Sequence, residues 1–107
     1  MSLDIKICGL KTAETLDAAL GGGASHVGFI FFPKSPRYIE PEEAGRLRQA
    51  ARGRAKGVAG TVDADDAFLD RIVESLSPDM LQLHGSETPE RVVEVKARYG
   101  LPVMKAL

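Results

Sequence analysis

Cysteine is scarce in this 107-residue chain. Cys8 is the only one, which excludes an intramolecular disulfide and any metal centre built from several thiolates. A solitary free thiol suits a reducing compartment. Long apolar runs are missing as well: none approaches the ~18–20 residues that a membrane-spanning helix needs. Charge of one sign is not in excess. Fourteen basic residues face fifteen acidic ones, for a formal net charge of -1. No broad basic surface is available for a nucleic-acid backbone, although a local site for a small anion remains open. The start, Met1-Ser2-Leu3-Asp4, lacks a basic stretch followed by an apolar one. No signal peptide is expected, the first three residues read as a candidate cloning remnant, and the expected location is the cytoplasm. What is present is ordinary for a globular chain, with 44% hydrophobic and 27% charged residues. At this length one domain, or part of one, is expected.

Five short apolar runs punctuate the chain, at residues 4–8, 26–32, 55–62, 80–84 and 102–107. Each is flanked by Gly, Pro or polar residues, which predicts strands rather than helices. None is joined to the next by a hairpin-length turn. The intervals read as helices. Thr12 can cap a helix over 13–20, stopped by Gly21, Gly22 and Gly23. Pro41, followed by Glu42 and Glu43, opens a second that runs to about Arg52 and stops at Gly53. Asp63, Asp65 and Asp66 offer caps for a third, whose Phe68, Leu69, Ile72, Val73 and Leu76 form one apolar stripe. Thr88 and Pro89 open a fourth, with Val92, Val93 and Val95 inside it and Gly100 as its stop.

Strict alternation of strand and helix implies a parallel sheet with right-handed crossovers. Two architectures fit: an open five-stranded doubly wound sheet, or the first half of an eight-stranded barrel. Strand parity favours the barrel. Ile5 and Ile7 face one way, and Lys6 and Cys8 the other; Leu81 and Leu83 share a face, and Gln82 and His84 the opposite one. A doubly wound sheet is normally apolar on both faces, because helices cover both. A polar face suits the interior of a barrel near a site at the C-terminal ends of its strands. Cys8 and His84 stand at such ends.

Three positions can carry chemistry. Cys8, followed by Gly9, can act as a general base through its thiolate, or serve as a small buried hydrophobe. In Phe31-Phe32-Pro33-Lys34-Ser35-Pro36-Arg37-Tyr38-Ile39, two prolines stiffen a loop from which Arg37 can grip a carboxylate bidentately, if the loop is more than a solvated surface. His84, in Gln82-Leu83-His84-Gly85, can bind a ligand or move a proton, or be a satisfied structural histidine. His26, the only other histidine, starts the second strand, so a shared metal is not expected. Gly21–Gly23 follow a helix and precede a strand, the wrong order for a dinucleotide fingerprint.

Taken together, Lys6-Ile7-Cys8-Gly9, Val27-Gly28-Phe29-Ile30-Phe31, the 33–39 loop and Leu81-Gln82-Leu83-His84-Gly85 resemble the phosphoribosylanthranilate isomerases. The similarity covers nearly the whole chain in order and spacing. It implies a (β/α)8 barrel enzyme of tryptophan biosynthesis, of which this chain would cover the first four β/α units and a fifth strand, as a single incomplete domain over 1–107. The implied reaction is an Amadori rearrangement of N-(5-phosphoribosyl)anthranilate, a phosphorylated aminosugar, to 1-(2-carboxyphenylamino)-1-deoxyribulose 5-phosphate, with no cofactor and no metal. By the same resemblance Cys8 is the general base at C2 of the ribose, Arg37 holds the anthranilate carboxylate and His84 lies in the active site.

The family also implies parts that this chain lacks. A full barrel runs to at least about 200 residues. The family's general acid, an aspartate ending the sixth strand, and its phosphate loops after the seventh and eighth have no counterpart here. Gly60-Thr61-Val62-Asp63-Ala64 departs from the more apolar third strand of relatives. The 107-residue chain alone is therefore expected to be inactive and to require the remainder of its own barrel as partner, with neither nucleic acid nor membrane. Two other readings stand beside this one. The first is a noncatalytic half-barrel that binds an anionic aromatic ligand or self-associates; the second is an open flavodoxin-like binding domain.

Overall fold

The computed structural model describes residues 6–51, 53–85 and 87–105. The expected strand residues Asp4, Ile5, Ala106 and Leu107, the helix end at Arg52 and the Met1-Ser2-Leu3 start lie outside them. Within them the chain alternates nine elements: β1 (Lys6–Ile7), α1 (Ala13–Gly21), β2 (His26–Phe31), α2 (Pro41–Ala51), β3 (Lys56–Val62), α3 (Asp66–Leu76), β4 (Met80–His84), α4 (Pro89–Tyr99) and β5 (Val103–Lys105).

The helices begin where side chains can satisfy their first N–H groups. Thr12 accepts from the Thr15 amide at 3.1 Å, and Thr15 Oγ1 accepts from the Thr12 amide at 3.2 Å, a reciprocal capping box. Asp65 caps α3 through the Phe68 amide at 2.9 Å, so of the three aspartates expected to compete for that role it is the middle one that serves. Thr88 caps α4 through the Arg91 amide at 3.1 Å, with Pro89 in the first turn. At the other end of α4, Gly100 takes the left-handed conformation (φ 64°) and sends its N–H to the Lys96 carbonyl. Ser77 takes that role after α3 with φ 49°, a conformation that sequence reasoning does not assign to serine. Helix α1 runs one residue past its expected end. Gly22 then closes it, with its N–H on the Ala18 carbonyl at 3.0 Å.

All four strand pairings are parallel, in the sequential order β1-β2-β3-β4-β5. Right-handed crossovers between sequential neighbours put every helix on the same face of the sheet. Burial follows that rule. Val27, Phe29 and Phe31 of β2, Ala59 and Thr61 of β3, and Leu81 and Leu83 of β4 are all buried. Leu16, Ala44, Leu69, Ile72, Leu76 and Val95 cover them from the helices. Truncating one of the large members of this layer to alanine would cost about 2–5 kcal/mol. Phe68 and Val73 are partly buried at the margin of the α3 stripe. Of the three valines in α4, Val95 is buried and Val92 partly so, whereas Val93 is 68% exposed.

The other face carries Lys6, His26, Gly28, Ile30, Lys56, Val58, Gly60, Gln82 and His84, by the register Lys6↔His26↔Lys56 and Ile30↔Gly60↔Gln82. No described helix covers it. This one-sided cover excludes the doubly wound sheet. The sheet is also curved, since Lys6 Nζ on β1 donates to Gln82 Oε1 on β4 at 2.6 Å. Flat strands would stand about 14 Å apart across three spacings. The chain has the curved sheet and outer helical layer of half a (β/α)8 barrel, with its polar residues on the concave side.

The N-terminal ends of the strands are held by a buried arginine. Arg48 of α2 reaches Asp79 Oδ2 at 2.5 Å and the Ala55 carbonyl at 3.2 Å, and the same Asp79 oxygen accepts the Gly57 amide at 2.8 Å. This latch borders a cleft of about 510 Å³ that contains none of the residues singled out for chemistry. Among the described residues, no helix is long and apolar enough to cross a membrane.

Candidate active site

The C-terminal ends of the strands gather the candidate residues. Cys8, a half-buried free thiol, comes directly after β1 rather than within it. The Ile7↔Val27 register sets Cys8 opposite Gly28 of β2. Gly28 offers the thiol a bare surface: a Cβ built there would lie 3.0 Å from Cys8 Sγ. Its carbonyl accepts both the Gly9 amide at 3.0 Å and the Leu10 amide at 3.3 Å, which turns the chain away from the sheet just after Cys8. Gly9 makes that turn at φ 78°.

The loop after β2 folds back over this turn. Ser35 and Tyr38 donate their N–H groups to the Phe32 and Ser35 carbonyls at 2.9 and 3.1 Å, and Ser35 Oγ accepts the Arg37 amide at 3.1 Å. Tyr38 bridges to Ile30, and Lys11 Nζ ties the Pro36 carbonyl at 3.1 Å. The stiffened loop delivers Arg37 onto Gly9. A Cβ at residue 9 would collide with Arg37 Cδ and stand 3.0 Å from its Nε and Nη1. Arg37 is thus brought against the residue next to Cys8, across 28 positions of sequence, because residue 9 has no side chain.

His84 ends β4 on the same concave face, paired in register with Val62. Its Nε2 lies over β3, 3.8 Å from where a Cβ of Gly60 would be. His26 is at the opposite end of the sheet, level with Lys6 and Lys56, with its Nδ1 2.9 Å from Ser25 Oγ. The two histidines therefore cannot share a ligand.

Two acidic residues stand at this rim: Asp63, expected from the sequence as a helix cap, and Glu87, which the sequence does not single out. Asp63 follows β3 in the left-handed conformation (φ 48°), and its carboxylate oxygens lie 2.8 and 2.9 Å from the position a Cβ of Gly85 would take. It stands over the turn that follows His84 and does not cap α3. Glu87 is only 7% exposed, and its Oε2 has no hydrogen-bond partner among the described residues. Burial pushes its carboxyl above the ordinary range, helped by Asp63 and opposed by Arg91 and Lys105. Arg91 itself is engaged by Asp66 at 2.7 Å, by Glu94 and by the Ala64 carbonyl at 3.2 Å. A strand-end rule marks Asp63 as readily as Cys8. Its place among three aspartates made capping the nearer explanation.

Residues 5–107 match the N-(5'phosphoribosyl)anthranilate (PRA) isomerase family. The chain belongs to that family. It is 78% identical to the N-(5'-phosphoribosyl)anthranilate isomerase of Mesorhizobium japonicum, over 100% of this chain and 49% of the relative. The Rhizobium meliloti protein of the same name is 71% identical, over 100% and 50%. Among solved structures, phosphoribosyl anthranilate isomerase from Thermotoga maritima superposes with a TM-score of 0.90 at 31% identity, over 99% of this chain and 51% of that one. A phosphoribosyl anthranilate isomerase in complex with reduced 1-(o-carboxyphenylamino)-1-deoxyribulose 5-phosphate gives the same TM-score and identity, over 99% and 54%. The chain thus spans about half the length of the relatives it matches. The barrel architecture expected from strand parity is the architecture of its family.

Proposed function

We propose that the full-length protein to which these residues belong is the isomerase of tryptophan biosynthesis that converts N-(5-phosphoribosyl)anthranilate to 1-(2-carboxyphenylamino)-1-deoxyribulose 5-phosphate. The observation that supports this reading is that Arg37 packs against Gly9, the residue next to Cys8, at the C-terminal ends of the strands. The substrate has a carboxylate at one end of its aromatic ring and the reacting carbons a few bonds away. A planar cation packed on the residue after the base suits those two features.

The chemistry needs no redox partner. Protonation of the furanose oxygen breaks the C1–O bond and leaves a C=N⁺ iminium, which acidifies C2–H. The Cys8 thiolate takes that proton, the C2–H pair forms the C1=C2 bond of an enaminol as the C=N⁺ π pair returns to nitrogen, and tautomerisation gives the C2 ketone. Atoms and charge balance, so substrate and product are isomers. Arg37 holds the carboxylate with its planar fork. His84 sits farther along the concave face, where it can hydrogen-bond the sugar. The proton donor and the phosphate-binding loops come, on this reading, from the remaining barrel units, so a polypeptide of these 107 residues alone has no turnover. A cytoplasmic location and a single barrel domain go with the same reading. Family membership weighs against the noncatalytic half-barrel.

The test is Cys8→Ala in the full-length protein. It should lower kcat by about 10²–10⁴ while leaving fold and substrate affinity nearly unchanged. Turnover close to that of the parent would remove Cys8 from the mechanism.

A further inference from the structure

We propose that Gly28 is a positioning residue for the Cys8 thiol, acting from the neighbouring strand. The proposal rests on the reading of Cys8 as the base. Two independent features of Gly28 converge on Cys8. Its carbonyl takes the Gly9 and Leu10 amides at 3.0 and 3.3 Å and so fixes where the backbone leaves the sheet. Its bare Cα leaves room for the side chain. A methyl group there would stand 3.0 Å from Sγ, 3.3 Å from Cys8 Cα and 3.5 Å from Cys8 Cβ. Of these neighbours only the thiol can rotate away. Gly28 lies inside a strand, has no positive φ and is buried, so conformational freedom does not explain a glycine here. The close approach of Cys8 does, its sulfur nearest and its Cα next.

An alanine at this position would turn the thiol away from the seat it now occupies. A misplacement on the order of 1 Å can cost ~10²-fold in rate, because proton abstraction depends steeply on geometry. The anthranilate end of the site, held by Arg37 on Gly9, would be untouched.

The experiment compares Gly28→Ala, Cys8→Ala and the double variant in the full-length enzyme, measuring kcat, KM and thermal unfolding. Gly28→Ala should lower kcat by about 10- to 100-fold with KM within about threefold of the parent. Added to Cys8→Ala it should cost nothing further, since a residue that acts through the thiol has nothing to act on once the thiol is gone. Should Gly28→Ala fail to fold, the double variant, freed of the sulfur, should fold as Cys8→Ala does. Normal kcat in Gly28→Ala, a rise in KM matching the loss in kcat, losses that multiply in the double variant, or a double variant that also fails to fold would each overturn the proposal. If Cys8→Ala itself turns over normally, what fails is the assignment of the base.

Discussion

Lys6 Nζ donates to Gln82 Oε1 at 2.6 Å, from the first strand to the fourth. Side chains on a flat parallel sheet stand perpendicular to it and cannot meet across two intervening strands. The bond therefore records a sheet already bent towards closure within these residues. It also explains the polar residues on the concave side. They face one another across a barrel interior, whereas the convex side is sealed by helices. The same curvature turns the ends of β1, β2 and β4 towards a common mouth.

Arg37 is the first residue to test at that mouth. Arg37→Lys keeps the charge and loses the planar, bidentate fork. KM for the anthranilate-bearing substrate should rise by about tenfold with a smaller change in kcat. A substrate analogue without the carboxylate should respond far less. An equal response would mean that Arg37 serves the loop structure alone.

At the opposite end of the strands, Asp79 accepts from both the buried Arg48 guanidinium and the Gly57 amide. Asp79→Ala would leave both donors without that acceptor. Arg48 is nearly enclosed but Asp79 is partly exposed, so water can replace part of what is lost. Unfolding in denaturant should show a loss of about 2 kcal/mol, and kinetic constants should stay within about twofold, because the latch is far from the mouth.

A third prediction concerns acid. Hydrogen bonds from Arg71 hold the Glu42 carboxyl down at about 2, from its usual 4.5. For a group depressed in the folded state, the stabilisation is present above the unfolded value and is lost as pH falls through the folded one. Glu42→Gln should therefore be slightly less stable than the parent at pH 6. The difference in Tm should shrink between pH 4.5 and about 2. The pair is exposed, so the effect is small. A difference independent of pH would show that the variant acts through packing.

The β/α order was legible because each signal is local. Thr12, Pro41, Thr88 and Gly100 announce helix ends by their own chemistry, and Leu81 and Leu83 alternate with Gln82 and His84 within a single strand. Other features were hidden because they are defined by distant residues. Arg48 and Asp79 are 31 positions apart, and Lys6 and Gln82 are 76 apart. Cys8 and Arg37 could each be nominated, but the packing of Arg37 on residue 9 depends on a missing Cβ at Gly9, and the seat of the thiol on a missing Cβ at Gly28. Absent atoms have no periodicity to read. Asp63 and Ser77 were unreadable for another reason: both hold a positive φ that only the surrounding fold sustains.

The most direct measurement is a crystal structure of the full-length protein with reduced 1-(o-carboxyphenylamino)-1-deoxyribulose 5-phosphate bound. The account predicts the anthranilate carboxylate on the Arg37 fork at about 2.7–2.9 Å. It also places C2 of the sugar within about 3.5 Å of Cys8 Sγ, in line for proton transfer. A ligand seated with its carboxylate away from Arg37, or with C2 out of reach of the thiol, would contradict it.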